Sequence, residues 1–444
     1  MRVAIIGAGP TGLFLGAALA RRGHTAVTVD RDPGPAADGT WERRGVMQFH
    51  HAHGFRPQVA EALQAEIPEA YDAWLAAGAE PMFVGPPDAP RPAGVRSRRE
   101  TFERALRATV ARQDGLTLVR GHVDEVTARR GRADGIRVDG IRLPADVVVD
   151  ASGRIGRATR RLRPAPSVGG DTGIAYVDRQ YQLYPGAEPG PLNSPIAWTG
   201  THDGYQTLVF LHERGIFSVL VVRPTGDRDM LRLRHDDAFE AACRAIPALT
   251  AWTDPERARP IGHVLPGGAL VNGYRGQTGH DGRLALRGLV FAGDAVCTTT
   301  PIFGRGITTS LLQARELLRL LDEHRHDLVT VTEAFDAWCE AHMLPWVVDH
   351  VRMDDAMRRR WTGADVDLSG RLPSDLIMAA AEVDERIGAA LGPYIAMRAE
   401  PSCLDGVEPL ARAVYATGWR PPLAPGPSRD ELVSLLTATA TVGT

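Results

Sequence analysis

The sequence contains no lysine: all 51 of its Lys/Arg positions are arginine. That absence removes one reaction class, taken up below. Cysteine is nearly as scarce, with four residues (Cys243, Cys297, Cys339, Cys403) and no C-x-x-C spacing. Neither a disulfide framework nor a thiolate zinc site is indicated, and a reducing cytoplasm is the expected setting. No apolar stretch is long enough to span a bilayer, so no stable membrane insertion is expected. The apolar start of the chain is broken by Gly7, Gly9, Pro10 and Gly12 and followed directly by a second strand-like segment, which argues against a signal peptide. With a net charge of −3 and no long block of one sign, the chain lacks the electrostatics of a nucleic-acid binder or of a tail for anionic membranes. A small molecule is the expected partner. H-E-x-x-H and G-x-S-x-G are missing too, leaving zincin and serine-hydrolase chemistry without its residues.

At 444 residues the chain predicts two or three packed units. Residues 3–6, VAII, read as a strand running into a glycine loop; LFLGAALARRG reads as a helix closed by Gly23; TAVTVD reads as a strand ending at Asp30. RRETFERALRATVARQ, residues 98–113, places Phe102, Leu106 and Val110 on one helical face, and LTLVRG and DVVVDASG read as further strands. The spacing therefore predicts a first α/β unit over 1–165, interrupted at about 60–97. Residues 166–275 change to long β-like runs, 276–330 resume the α/β unit with LVFAG and a long helix, and 331–444 read as mostly helical. No internal repeat is present.

Gly7, Gly9 and Gly12 form G-x-G-x-x-G between strand and helix. The first glycine permits the turn, the second lets a pyrophosphate approach the backbone, and the third lets helix pack on strand, with the helix N-terminus attracting phosphate. Asp30 is placed for a ribose hydroxyl. The motif by itself leaves NAD and FAD open. Residues 289–314, LVFAGDAVCTTTPIFGRGITTSLLQA, decide for FAD: Asp294 ends a strand and can bind a polyol hydroxyl. Pro301, Gly304 and Gly306 lead into a helix whose first amides, including that of Ile307, can face the flavin pyrimidine edge.

With these fragments on the page, the chain resembles the FAD-dependent monooxygenases of the aromatic-hydroxylase (p-hydroxybenzoate hydroxylase-like) type and their natural-product relatives. The resemblance rests on the glycine loop with Asp30, the arginine segments, DVVVDASGR and GDAVCTTTPIFGRG, and covers roughly residues 1–160 and 270–330. It implies an α/β, Rossmann-like FAD-binding domain with an inserted antiparallel substrate sheet and a helical C-terminal region. It further implies that Gly7, Gly9, Pro10, Thr11 and Gly12 hold the pyrophosphate and Asp30 the adenosine ribose, with Arg31 and Val123 nearby. Asp294 would hold the ribityl chain, and Ser152, Gly153 and the Pro301–Ile307 loop would contact the cofactor. Arg43 opens an R-x-G-V pattern and Arg99 an R-x-x-F-E-x-x-L helix start, both with guanidinium suited to phosphate or flavin carbonyls; the plain alternative is two surface arginines.

The implied reaction uses reduced flavin and O2 to form a C4a-hydroperoxide, whose distal oxygen passes to an aromatic or unsaturated, apolar small molecule, in the manner of secondary metabolism. The protein would hold flavin and exclude water. Where the family reads G-A-D-G, this chain reads Asp150, Ala151, Ser152, Gly153. Serine thus replaces an acid that serves both FAD and NADPH, so NADH or NADPH would act either transiently at the flavin or through a separate flavin reductase. D-A-S-G-R also resembles flavin-dependent halogenases and prenyl reductases, but the tryptophan-type halogenases use a lysine and a W-x-W-x-I-P motif, and this chain has neither. A flavin dehydrogenase, oxidase or reductase, and a flavin-binding protein without turnover, remain as alternatives that the same motifs would serve.

The segment RRGVMQFHHAHGFR, residues 43–56, carries His50, His51 and His53 beside Gln48. Histidines at i, i+1 and i+3 diverge and no acidic or Cys partner motif accompanies them, so no metal is expected. The segment reads as wall between flavin and substrate, where imidazoles titrate near neutrality; the alternative is an exposed loop. Candidate proton or substrate contacts are His53, His50 and Gln48, with Arg179 and Tyr181 from DRQYQ, where an ordinary alternating strand is the competing explanation.

Overall fold

Five short apolar strands pair in parallel in the order Leu289–Phe291, Val147–Asp150, Arg2–Ile6, Thr25–Asp30, Leu116–Arg120. A computed structural model gives this arrangement and describes residues 1–442 apart from 44, 280, 325 and 326, with side chains through residue 438. Val3, Ile5, Val147, Val148 and Val149 are all buried, as expected where helices cover both faces of a parallel sheet. Helix Pro10–Arg21, buried along nearly its whole length, packs against helix Gly306–Glu323, so both glycine-led fragments end at one edge of the sheet.

Between the second and third strands of the chain's parallel sheet lie helices Pro57–Glu66 and Pro68–Ala76 and a hairpin of Glu80–Val84 with Arg91–Arg96. A second addition, the three-stranded meander Val123–Arg129, Arg132–Val138, Ile141–Pro144, precedes the strand at Val147.

The middle of the chain forms a six-stranded antiparallel sheet. Ala197–His202, Tyr205–Leu211, Ile216–Pro224, Ile174–Leu183 and Ala258–Pro260 follow in order, and Leu265–Gly267 also pairs with Ile174–Leu183. Because strand side chains alternate, Ile174–Leu183 has two distinct faces. Val177, Tyr181 and Leu183 enter a core with helices Asp236–Ala245 and Pro247–Thr253. Ile174 and Tyr176 face the opposite way, against Leu270, Ile302 and Met357.

The C-terminal region holds helices Leu328–His342, Leu344–Trp361, Ser374–Ala380, Gly388–Ile395 and Glu408–Ala416. Trp346, Leu372, Ile377, Tyr394 and Tyr415 form a core of their own. The last helix, Arg429–Val442, departs from this group: Leu432 and Leu436, fully buried, complete the core behind the antiparallel sheet. Each such leucine contributes roughly 1.5–3 kcal/mol on burial, enough to draw the chain end back to the sheet.

Candidate active site

The first strand ends at Ile6, and the chain turns at Gly7 with φ +102°, where a side chain would collide with the Ala151 carbonyl at 2.6 Å. A Cβ on Gly12 would lie 1.8 Å from the Gly7 carbonyl oxygen, so the helix can close on the loop only with glycine there. Asp30 fastens the loop: its carboxylate accepts from the Ala8 amide at 2.7 Å and from the Asp32 amide at 2.9 Å. Arg43 donates to the Ala8 carbonyl at 2.9 Å and lies 3.6 Å from Asp30. It also pairs with the fully buried Glu103, which accepts from Arg99 Nε at 2.6 Å. Both motif arginines are thus held by one carboxylate. Burial, reinforced by Arg43, lowers the Arg99 pKa to about 10.

At the other fragment, Gly293 adopts φ +68° and presents Asp294, whose carboxylate has no protein hydrogen-bond donor among the described residues. Burial raises its pKa, opposed by the charges of Arg99, Arg154 and Arg163. The half-buried carboxylate faces the cavity with its acceptor capacity unused by the protein, and the hydroxyls of a polyol chain would supply donors. Cβ atoms built on Gly153 and Gly306 meet nothing within 4 Å, so the backbone there stands open toward the space between the fragments. These features fit FAD. Asp150 is not available to a ligand in the same way, since it accepts from Ser152 Oγ at 2.6 Å, from Thr159 and from Arg163 at 2.6 Å. Ser152 is thereby turned onto its neighbour.

One cavity of about 430 Å3 connects these parts. Gly7, Gly9, Pro10, Thr11, Asp30, Arg31, Arg43, Arg99, Val123, Ser152, Gly153, Asp294, Pro301, Gly304, Gly306 and Ile307 line it; Gly12 does not, being packed beneath the loop. Of the residues considered for catalysis, Gln48 and His53 line it, together with Ala52 and Gly54.

The three histidines point three ways. His50 is half-exposed and 3.2 Å from Glu100, outside the cavity. His51 is buried, edge-on to Tyr176, with Nδ1 3.6 Å from Asp178 Oδ2. His53 donates from Nδ1 to the His51 carbonyl at 3.0 Å. Burial lowers the His51 pKa to about 4 and that of His53 well below the usual imidazole range. Among the described residues no group of three His, Cys, Asp or Glu is arranged to hold a metal ion.

Arg179 and Tyr181 lie on the far face of the sheet. Arg179 donates to the Gly262 carbonyl and pairs with Glu240 at 2.8 Å and Asp236 at 3.1 Å; Tyr181 donates to Glu240 and stacks on Phe217. The residues that reach the cavity wall are their even-numbered neighbours. Asp178, wholly buried, accepts from the Ala52 amide at 2.6 Å, and Gln180 donates to the His50 carbonyl at 2.6 Å. Tyr176, on the same face, packs edge-on against His51. Burial pushes the Asp178 pKa up to about 8, and its second oxygen has no partner. Glu103 and Asp178 are therefore functional candidates that the sequence reading left out. Glu103 was visible in the R-x-x-F-E pattern; Asp178 carried no signal beyond its place in a strand.

Residues 1–48 match the family model described as FAD binding domain. A triple mutant of the flavin-dependent brominase Bmp2 superposes with a TM-score of 0.65 at 16% identity, over 94% of this chain and 98% of that one. For pqsL, a "probable FAD-dependent monooxygenase" from Pseudomonas aeruginosa, the TM-score is 0.60 at 17% identity, over 82% and 98%. The molecule has the fold of the flavin-dependent monooxygenases and halogenases. Protein Rv3254 of Mycobacterium tuberculosis is 28% identical over 363 residues, 71% of this chain and 72% of the relative. Within this flavoprotein fold, no helix among the described residues is long and apolar enough to cross a membrane.

Proposed function

We propose that this chain is an FAD-dependent monooxygenase that inserts one atom of O2 into an aromatic or unsaturated, apolar small molecule, in secondary metabolism. The observation that carries the reading is the continuity of one cavity, from the glycine loop through Asp294 and the start of helix Gly306–Glu323 to the wall of Gln48, Ala52, His53 and Gly54. Beside that wall lies the apolar face of the antiparallel sheet, with Tyr176, Leu208 and Phe210 against Ile302.

FAD, when bound, supplies the oxygen activation; the chain supplies position, exclusion of water and control of protons. The glycine loop and Asp30 would hold the dinucleotide half, and Asp294 the polyol chain. Arg99 and the helix start would face the developing negative charge of the reduced ring. His53, neutral at physiological pH and with its one N–H given to the His51 carbonyl, can accept a hydrogen bond from a substrate hydroxyl without adding charge to an apolar site. Proteins of similar fold act on aromatic groups: PqsL has been seen with 2-aminobenzoylacetate, and QhpG is a peptidyl tryptophan dihydroxylase. With no lysine in the chain, halogenation by way of a lysine amine has no carrier here.

The electron donor would be NADH or NADPH, directly or through a separate flavin reductase; the use of the Ser152 hydroxyl on Asp150 favours the second route. The test is anaerobic reduction of the FAD-loaded protein by each nucleotide, with and without an added flavin reductase, followed by oxygen and a panel of apolar aromatic compounds. The reading predicts a transient oxygen adduct in the flavin spectrum and a product heavier by one oxygen. Immediate reoxidation to peroxide with dehydrogenated product would make the protein an oxidase instead. Rapid reduction by NADPH alone would exclude the need for a reductase.

A further inference from the structure

Arg56 sits at the start of helix Pro57–Glu66, directly after the cavity wall. Its Nη2 donates at 3.0 Å to the carbonyl of Phe303, in the Pro301–Gly304 turn that lines the cavity, and its Nε is buried without a partner. No carboxylate pairs with it among the described residues. Gly54 and Gly304 approach each other closely here, so only the thickness of this turn separates the guanidinium from the cavity.

A second guanidinium, Arg305, lies alongside. Its Nη1 donates to Asp349 at 2.9 Å and its Nη2 to the Tyr394 hydroxyl at 2.6 Å, and it stacks over the rings of Trp346 and Tyr394 at 4.6 and 4.9 Å. Tyr394 in turn donates to Asp349. The neighbouring His350, which accepts from or donates to Thr300 at 3.1 Å, is kept neutral by burial. Arg305 is thus paired with Asp349, whereas Arg56, half-buried, has no carboxylate of its own, and its charge stands unmatched by an ion pair behind the turn. Burial, together with Arg305, brings the Arg56 pKa down to about 10, still far above neutrality, so the charge persists. A partly buried cation without a counter-charge is costly; a negative charge arising on the other side of the turn would provide one, at an effective dielectric below that of water.

We propose that Arg56 is an electrostatic positioning residue whose unneutralised charge, acting through the Pro301–Gly304 turn, favours two-electron reduction of the bound flavin. Asp349 sets the size of this effect, because it cancels Arg305 and leaves Arg56 uncancelled. The inference rests on FAD occupying the cavity.

The test measures the equilibrium of bound FAD with a reference dye during anaerobic reduction by xanthine and xanthine oxidase, which needs neither substrate nor nicotinamide nucleotide. In Arg56→Gln, which keeps a donor for the Phe303 carbonyl but removes the charge, the equilibrium constant for reduction should fall about ten-fold or more. Arg56→Lys, which keeps the charge, should stay within about three-fold of the parent. Asp349→Asn, which leaves two cations unopposed, should move the equilibrium the other way. A Gln variant that binds FAD and matches the parent within two-fold overturns the proposal. If that variant does not fold or hold FAD, Asp349→Asn decides: no shift, or a shift toward the oxidised form, overturns it. A parent protein that binds no FAD overturns this inference and the functional reading together, whereas a normal FAD complex with unshifted variants overturns this inference alone.

Discussion

The two ends of the cavity are built from different materials. At the dinucleotide end the fold works through backbone: Gly7 in a left-handed turn, Gly12 beneath it, and Asp30 gripping the Ala8 amide, with Arg43 close to it. At the far end the work falls to side chains that burial has moved from their usual states. Asp178 is raised to about 8, His51 lowered to about 4, and Arg56 is left without a carboxylate. Recognition of a pyrophosphate is served by donors that need no tuning, whereas control of charge on a reacting ring calls for groups whose protonation the protein can set. The dinucleotide end should therefore fail by losing its shape and the far end by losing its electrostatics.

The largest effect is expected at Gly12. Gly12→Val would drive a side chain into the Gly7 carbonyl, and the variant should yield no soluble protein with flavin absorbance. Next is Asp294→Ala. The apoprotein should melt no lower than the parent, because no protein donor is lost, yet the FAD dissociation constant should rise about ten-fold or more, the loss of a charge-assisted hydrogen bond being worth roughly 1.5–3 kcal/mol. Equal FAD affinity by fluorescence titration would remove Asp294 from the cofactor site.

At the far end, Asp178→Ala strands the Ala52 amide and should cost about 1–3 kcal/mol of stability, while Asp178→Asn keeps an acceptor and should cost less. The sharper readout is pH. A carboxyl whose folded pKa is raised to about 8 stabilises the fold fully below its unfolded value of roughly 4, and that contribution is lost as pH rises toward 8. His51 acts oppositely: its pKa, lowered to about 4, makes its contribution fall away as pH drops below roughly 6.5. Denaturant melts from pH 4 to 9 should show the parent losing stability with rising pH relative to Asp178→Asn. Parallel curves would mean that Asp178 ionises normally.

The smallest effects belong to the back of the sheet. Tyr181→Phe removes the hydrogen bond to Glu240 and should cost about 1 kcal/mol without altering the flavin spectrum, FAD affinity or turnover. A change in turnover would bring the rear face back into the chemistry.

These residues also mark where the sequence could be read. The glycine loop and the GD…P..G.G segment were legible because backbone conformations at Gly7, Gly293 and Gly304 can be met by few residues. In VDRQYQL the alternation gives no parity, since Asp178, Arg179 and Gln180 put polar groups on both faces; the choice is made by Tyr176 packing toward Ile302 and Tyr181 toward Trp252, contacts supplied by distant segments. A shift of one residue moved the expected contacts from the cavity to the rear. Arg56 was invisible for another reason: among 51 arginines nothing in its neighbourhood sets it apart, and its lack of a carboxylate exists only once the Phe303 carbonyl has taken its guanidinium and Asp349 has taken that of Arg305. The C-terminal helices had no signal linking them to the flavin turn, yet Asp349 and Tyr394 supply its buried counter-groups.

The return of helix Arg429–Val442 to the antiparallel sheet has a bearing on the order of assembly. Leu432 and Leu436 close a core that contains Val177 and Tyr205, so after the last strand of the sheet at Leu265–Gly267 more than a third of the chain must be made before that core is complete. Until then helices Asp236–Ala245 and Pro247–Thr253 cover only part of the sheet's apolar back, and docking of this last helix should be a late step of folding.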